Sequence, residues 1–79
     1  MENQPRKLSE IAREIKIDWK KVYFGAVPYL QAMSIMQSAN EDFGFDSGKS
    51  IVLYFLSNAN SWRGEVAKRV KKELKEMVK

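Results

Sequence analysis

Between Val22 and Asn40, and again between Ser50 and Trp62, the chain carries no charged residue. The segments outside these stretches mix charged and apolar residues at helical spacing. This contrast limits the fold more than any other feature. Neither uncharged stretch reads as a membrane span, because Pro, Gln, Ser or Asn interrupts each and both are too short or too polar. Their apolar residues must therefore be buried within the protein. The arrangement expected is all-α: a compact bundle of four helices, with the two uncharged helices central and the two charged ones outside.

The helices are predicted at about residues 8–19, 27–37, 50–58 and 62–78. In the first, Leu8, Ile11, Ala12, Ile15, Trp19 and Val22 form the i, i+3, i+4, i+7 stripe of an amphipathic helix. Ser9 is a candidate cap, or Pro5 sits near the first turn. Ile17 points off the stripe, so either the helix ends near it or it is exposed. Gly25 breaks the chain before the second helix, and Pro28 suits a first helical turn. Tyr29, Leu30, Met33 and Met36 make its main face, with Ile35 nearly opposite Leu30. Asn40 to Gly48 is a loop, after which Asp46 or Ser47 caps the third helix.

Ile51 to Leu56 is apolar all round and by periodicity alone fits a helix or a buried strand. A strand needs a partner, and Val22-Tyr23-Phe24 is too short to anchor a sheet, so helix is the expectation. In the fourth helix Trp62, Val66, Val70, Leu74 and Met77 form the apolar stripe. Lys68, Lys72, Lys75 and Lys79 form a basic stripe, and Glu65/Arg69 and Lys72/Glu76 are spaced as i, i+4 pairs. No repeat, low-complexity run or linker divides the chain, so residues 1–79 are read as a single helical domain.

The 79 residues include no cysteine and no histidine. That removes disulfides, thiolate nucleophiles, Cys-based metal sites and His-based acid–base chemistry. A carboxylate or lysine enzyme would have little room for a pocket. No enzymatic activity, cofactor or metal is expected. The polar stretch from Met1 to Leu8 lacks the apolar run of a signal peptide, which points to a cytoplasmic protein. The formal net charge of +4 is unevenly spread. Residues 1–21 carry six basic and four acidic residues, 22–60 one basic and three acidic, and 61–79 seven basic and three acidic.

Three motifs invite a functional reading, and each departs from its pattern. Gly44-Phe45-Asp46-Ser47-Gly48-Lys49-Ser50 is one residue short of a phosphate-binding P-loop and lacks the strand that should precede it. It reads as a glycine turn into a capped helix. Asn40, Asp42 and Asp46 alternate like calcium ligands, but neither register places Gly sixth and Glu twelfth. Leu8 to Val22 resembles the first half of a helix-turn-helix unit, although Lys16 stands where the turn usually has Gly and Gly25 and Pro28 interrupt the second helix.

Two surfaces remain. Tyr54, Asn58, Trp62 and Arg63 gather at the corner of the third and fourth helices, and Trp, Tyr and Arg dominate protein interfaces. Alternatively, Arg63 lies near the apolar side of its helix as an internal clamp joining the third and fourth helices, paired with carbonyls at the end of the third helix, Asn58, or a carboxylate such as Asp46 or Asp18. The second surface is basic. Lys68, Arg69, Lys71, Lys72, Lys75 and Lys79 offer salt-dependent contacts to nucleic acid.

Tyr29-Leu30-x-Ala32-Met33, Phe43-Gly44-x-Asp46-Ser47, Tyr54-Phe55-Leu56-Ser57-Asn58-Ala59 and Trp62-Arg63-Gly64-Glu65-x-Ala67 together resemble short uncharacterised proteins encoded by phages and other mobile elements. The resemblance implies a bacterial cytoplasm and an accessory role, and assigns no site residues. The expected function is a non-enzymatic interaction module that binds a host protein or a second copy of itself as a homodimer. The alternative is a small nucleic-acid-binding accessory protein. No membrane or small-molecule partner is expected.

Overall fold

The computed structural model describes residues 6–44 and 46–79, and its fold is an all-α bundle. Helices α1 (Leu8–Asp18), α2 (Val27–Met33), α3 (Gly48–Ser57) and α4 (Glu65–Met77) surround one core. A single 3-10 turn, Phe24–Ala26, leads into α2, and a small antiparallel hairpin pairs β1 (Asp42–Phe43) with β2 (Asp46–Ser47).

The apolar stripe of α1 is buried throughout: Leu8, Ile11, Ala12 and Ile15 have no exposed surface, and Trp19 follows them inward. Ser9 lies inside the helix rather than capping it, and Pro5 lies outside the described residues. The open N–H groups of the first turn are satisfied from another element. Leu8 N–H donates to the Gln37 carbonyl at 3.1 Å and Ser9 N–H to the Met36 carbonyl at 2.9 Å. The helix ends one residue beyond Ile17, which is exposed.

The same contact explains why α2 stops at Met33 instead of Gln37. Its end tightens into i→i+3 bonds, Ile35 to Ala32 and Met36 to Met33. The carbonyls of Met36 and Gln37 are then turned toward α1. Residues 51–56 are helical. Ser47 Oγ accepts from the Ser50 N–H at 3.1 Å, so Ser47, not Asp46, caps α3. Gly48 opens that helix in a space with no room for a side chain: a Cβ there would lie 2.6 Å from the Ala39 carbonyl oxygen. The Gly44–Ser50 motif is thus a hairpin turn, with Gly44 at φ 65°, running into a capped helix.

The α1 and α2 segments are joined by eight residues, and α2 buries Leu30, Ala32 and Met33. A helix-turn-helix unit has a turn of about three or four residues and an exposed second helix, so that reading does not hold. The layering also differs from expectation. Helices α1 and α4 pack on each other with their stripes turned inward, Val66 and Met77 being partly buried, while large apolar side chains of the uncharged segments are left open. Phe24 is 79% exposed and Ile35 69%, with Tyr23, Leu53 and Tyr54 each over 40%. No described helix is long and apolar enough to cross a membrane.

Candidate functional site

The corner predicted from Tyr54, Asn58, Trp62 and Arg63 divides into three fates. Trp62 belongs to the core, at 2% exposure. It stacks on Trp19 with ring centroids 5.7 Å apart and meets Phe55 edge-on at 6.5 Å. Its indole Nε1 donates to Asp18 Oδ2 at 2.8 Å, tying the end of α1 to the segment before α4. The internal clamp is therefore Trp62, and Trp62 is not a docking residue. Asp18 accepts from the indole rather than from Arg63.

Arg63 is exposed rather than clamped. A helix starting at Trp62 would carry Arg63 toward the apolar side. The chain instead turns at 59–62 through the Trp62 N–H bond to the Ala59 carbonyl, and Gly64 adopts φ 114°. This left-handed value strongly favours glycine. The helix begins only at Glu65, and Arg63 swings out beside Lys68 and Lys71, sharing with them a hollow of about 220 Å³.

Tyr54 and Asn58 do come together, one turn apart on α3, with Asn58 Nδ2 donating to the Tyr54 carbonyl at 2.9 Å. The Tyr54 ring packs against Tyr29 at 5.3 Å between centroids. Beyond Asn58 stands Tyr23: a Cβ built on Gly25 would fall 2.6 Å from the Tyr23 ring and 2.8 Å from Asn58 Oδ1. Gly25 thus lets the 3-10 turn approach the end of α3. Tyr23 in turn packs on Phe24 at 4.9 Å. A cleft of about 320 Å³ opens here, lined by Tyr23, Ser57, Asn58, Asn60 and Ser61.

The cleft lining has no carboxylate, Lys or Arg. Such a lining can bury apolar surface and exchange hydrogen bonds through amide and hydroxyl groups, but it offers no carboxylate or amine for acid–base work. Tyr23 and Phe24 did not stand out in the sequence beyond a short strand-like run. Their signal was an aromatic pair immediately before a glycine, in a stretch with no charge to solvate it.

The basic surface also changes membership. Arg69 pairs with Glu14 Oε2, and Arg6 bridges Glu14 at 2.9 Å and Glu73 at 2.6 Å. This four-residue network links the chain ahead of α1 to both charged helices. Arg69, foremost, and Arg6 hold the Glu14 carboxyl below its ordinary pKa. Hydrogen bonding to Glu73, and then to Glu14, pushes Arg6 up. Lys79 pairs with Glu76 at 3.3 Å. Neither predicted pair, Glu65/Arg69 nor Lys72/Glu76, forms.

Lys71 is half-buried, donating from Nζ to the Trp62 carbonyl at 2.7 Å with Nζ 5.9 Å from the centre of the indole. Burial, then repulsion from Lys75 and Arg63, lowers its pKa. Lys68, Lys72 and Lys75 are exposed and without a carboxylate partner among the described residues. Comparison with protein-family models, curated proteins and solved structures finds no match to this chain.

Proposed function

We propose that this protein is a small non-enzymatic interaction module whose docking face is the neutral aromatic corner formed by Tyr23, Phe24, Tyr54 and Asn58. One observation carries the reading: the most exposed large apolar side chain, Phe24, packs on Tyr23, which lines an uncharged cleft. Aromatic residues grouped in this way are the usual anchors of protein interfaces. The neutral lining favours a partner surface that is apolar and uncharged, on a host protein or a second copy of this chain. The resemblance to phage and mobile-element proteins supports placing that partner in a bacterial cytoplasm.

The test is affinity capture with the wild-type chain and with Phe24→Ala/Tyr54→Ala, followed by titration of what is retained. Losing one buried aromatic anchor costs about 2 kcal/mol or more, so the double variant should bind at least roughly 30-fold more weakly. Equal binding by both chains would overturn the reading. Sedimentation across concentration tells a second copy from a foreign partner.

A further inference from the structure

We propose that the solvent face of α4, with Arg63 ahead of it, is a strip that binds the phosphate backbone of duplex DNA, independently of the aromatic corner. At 3.6 residues per turn, Lys68, Lys71, Lys72 and Lys75 fall within an arc of about 100°. Glu65, Arg69, Glu73 and Glu76 lie together on the other flank. The structure uses that second flank internally, since Arg69 and Glu73 are held in the network with Glu14 and Arg6. Glu76 takes Lys79, and Glu65 is an exposed acid that offsets part of the field.

What remains is Arg63, Lys68, Lys72 and Lys75 without carboxylate partners among the described residues, with Lys71 anchored between them on the Trp62 carbonyl. Three of these cations stand on one rigid helix, with Lys68 and Lys75 separated by about 10 Å along its axis. Lys71, whose pKa is lowered first by burial, also feels repulsion from Lys75 and Arg63, which an extended polyanion would relieve.

What the strip lacks selects its occupant. Between Arg63 and Lys75 there is no aromatic residue, so there is no platform for the base stacking that single strands require. An anionic membrane would need exposed apolar residues alongside the cations. Here Ala67, Val70 and Leu74 are buried, and the exposed apolar side chains lie on other elements. An acidic protein would normally add an apolar anchor, which the strip does not offer. A regular duplex backbone asks only for spaced positive charge.

About four phosphate contacts predict that affinity for a 20-base-pair duplex falls roughly 100-fold between 50 and 200 mM salt. The experiment is fluorescence anisotropy with duplex and single-stranded DNA of unrelated sequences. Lys68→Gln/Lys72→Gln/Lys75→Gln should weaken duplex binding at 50 mM salt by roughly 100-fold or more. A charge-matched control, Lys7→Gln/Lys16→Gln/Lys49→Gln, should change it less than about threefold. Circular dichroism should match the wild type for both triple variants, whose lysines are all exposed. Absence of duplex binding at 50 mM salt, equal losses in the two variants, or tighter binding of the single strand would each overturn the proposal.

Discussion

The charged flank and the neutral corner handle their side chains in opposite ways. On the flank, α1 and α4 turn their apolar stripes into the core and place Arg6, Glu14, Arg69 and Glu73 in a network across their outer seam. At the corner, the uncharged segments hold more apolar side chains than the core accepts, and Tyr23, Phe24, Leu53 and Tyr54 remain in water. A stretch without charges therefore need not be interior. In a chain of this size the core fills early, and the remaining aromatic surface is available for a partner.

The largest expected effect separates Trp62 from the corner it was grouped with. Trp62→Ala removes the ring stacked on Trp19 and orphans Asp18. It should cost about 3–5 kcal/mol, lowering the melting temperature by on the order of 20 °C. A melting temperature near the wild type would mean that Trp62 is not the clamp.

Two glycines sharpen the same contrast. At Gly48 an added methyl meets backbone atoms of Ala39 and Glu41, and Gly48 N–H donates to the Glu41 carbonyl at 2.6 Å. Gly48→Ala should therefore cost about 1–3 kcal/mol in chemical denaturation. At Gly25 the obstacles are ends of movable side chains, Tyr23 and Asn58. Gly25→Ala should cost less than Gly48→Ala while displacing the Tyr23 ring, seen as altered tyrosine fluorescence or shifted aromatic NMR resonances. Equal costs at the two positions would break the distinction.

How much of this could be read from sequence depended on whether a feature was local. The stripe of α1 located that helix to within a residue, because 3.6-residue periodicity is written directly in residue identity. Gly64 gave no warning of its positive φ, and the helix start moved from Trp62 to Glu65. That shift alone reversed Arg63 from a clamp to an exposed cation. Tyr54 and Asn58 were legible as an i, i+4 pair. Tyr23 and Phe24 were not, because they join the site only through a tertiary approach at Gly25. The ion pairs went astray for a similar reason: Glu14 competes for Arg69 from 55 positions away.

The charged flank should show its own pH signature. The Glu14 carboxyl has a folded-state pKa below its ordinary value of 4.5. The stabilisation it provides is present above about pH 4.5 and is lost as the pH falls through the lowered folded value. For a partly exposed pair the amount is about 1 kcal/mol or less. Glu14→Gln should flatten the acid limb of a stability–pH curve, measured against the wild type by urea denaturation. An unchanged limb would remove the network from the account.

If the neutral aromatic corner is surplus to the fold and serves a partner, its side chains can be removed with little effect on folding. Thermal unfolding of Phe24→Ala/Tyr54→Ala should show a change within about 0.5 kcal/mol per site and a melting temperature within several degrees of the wild type. A fall comparable to that of Trp62→Ala would show instead that the corner belongs to the core.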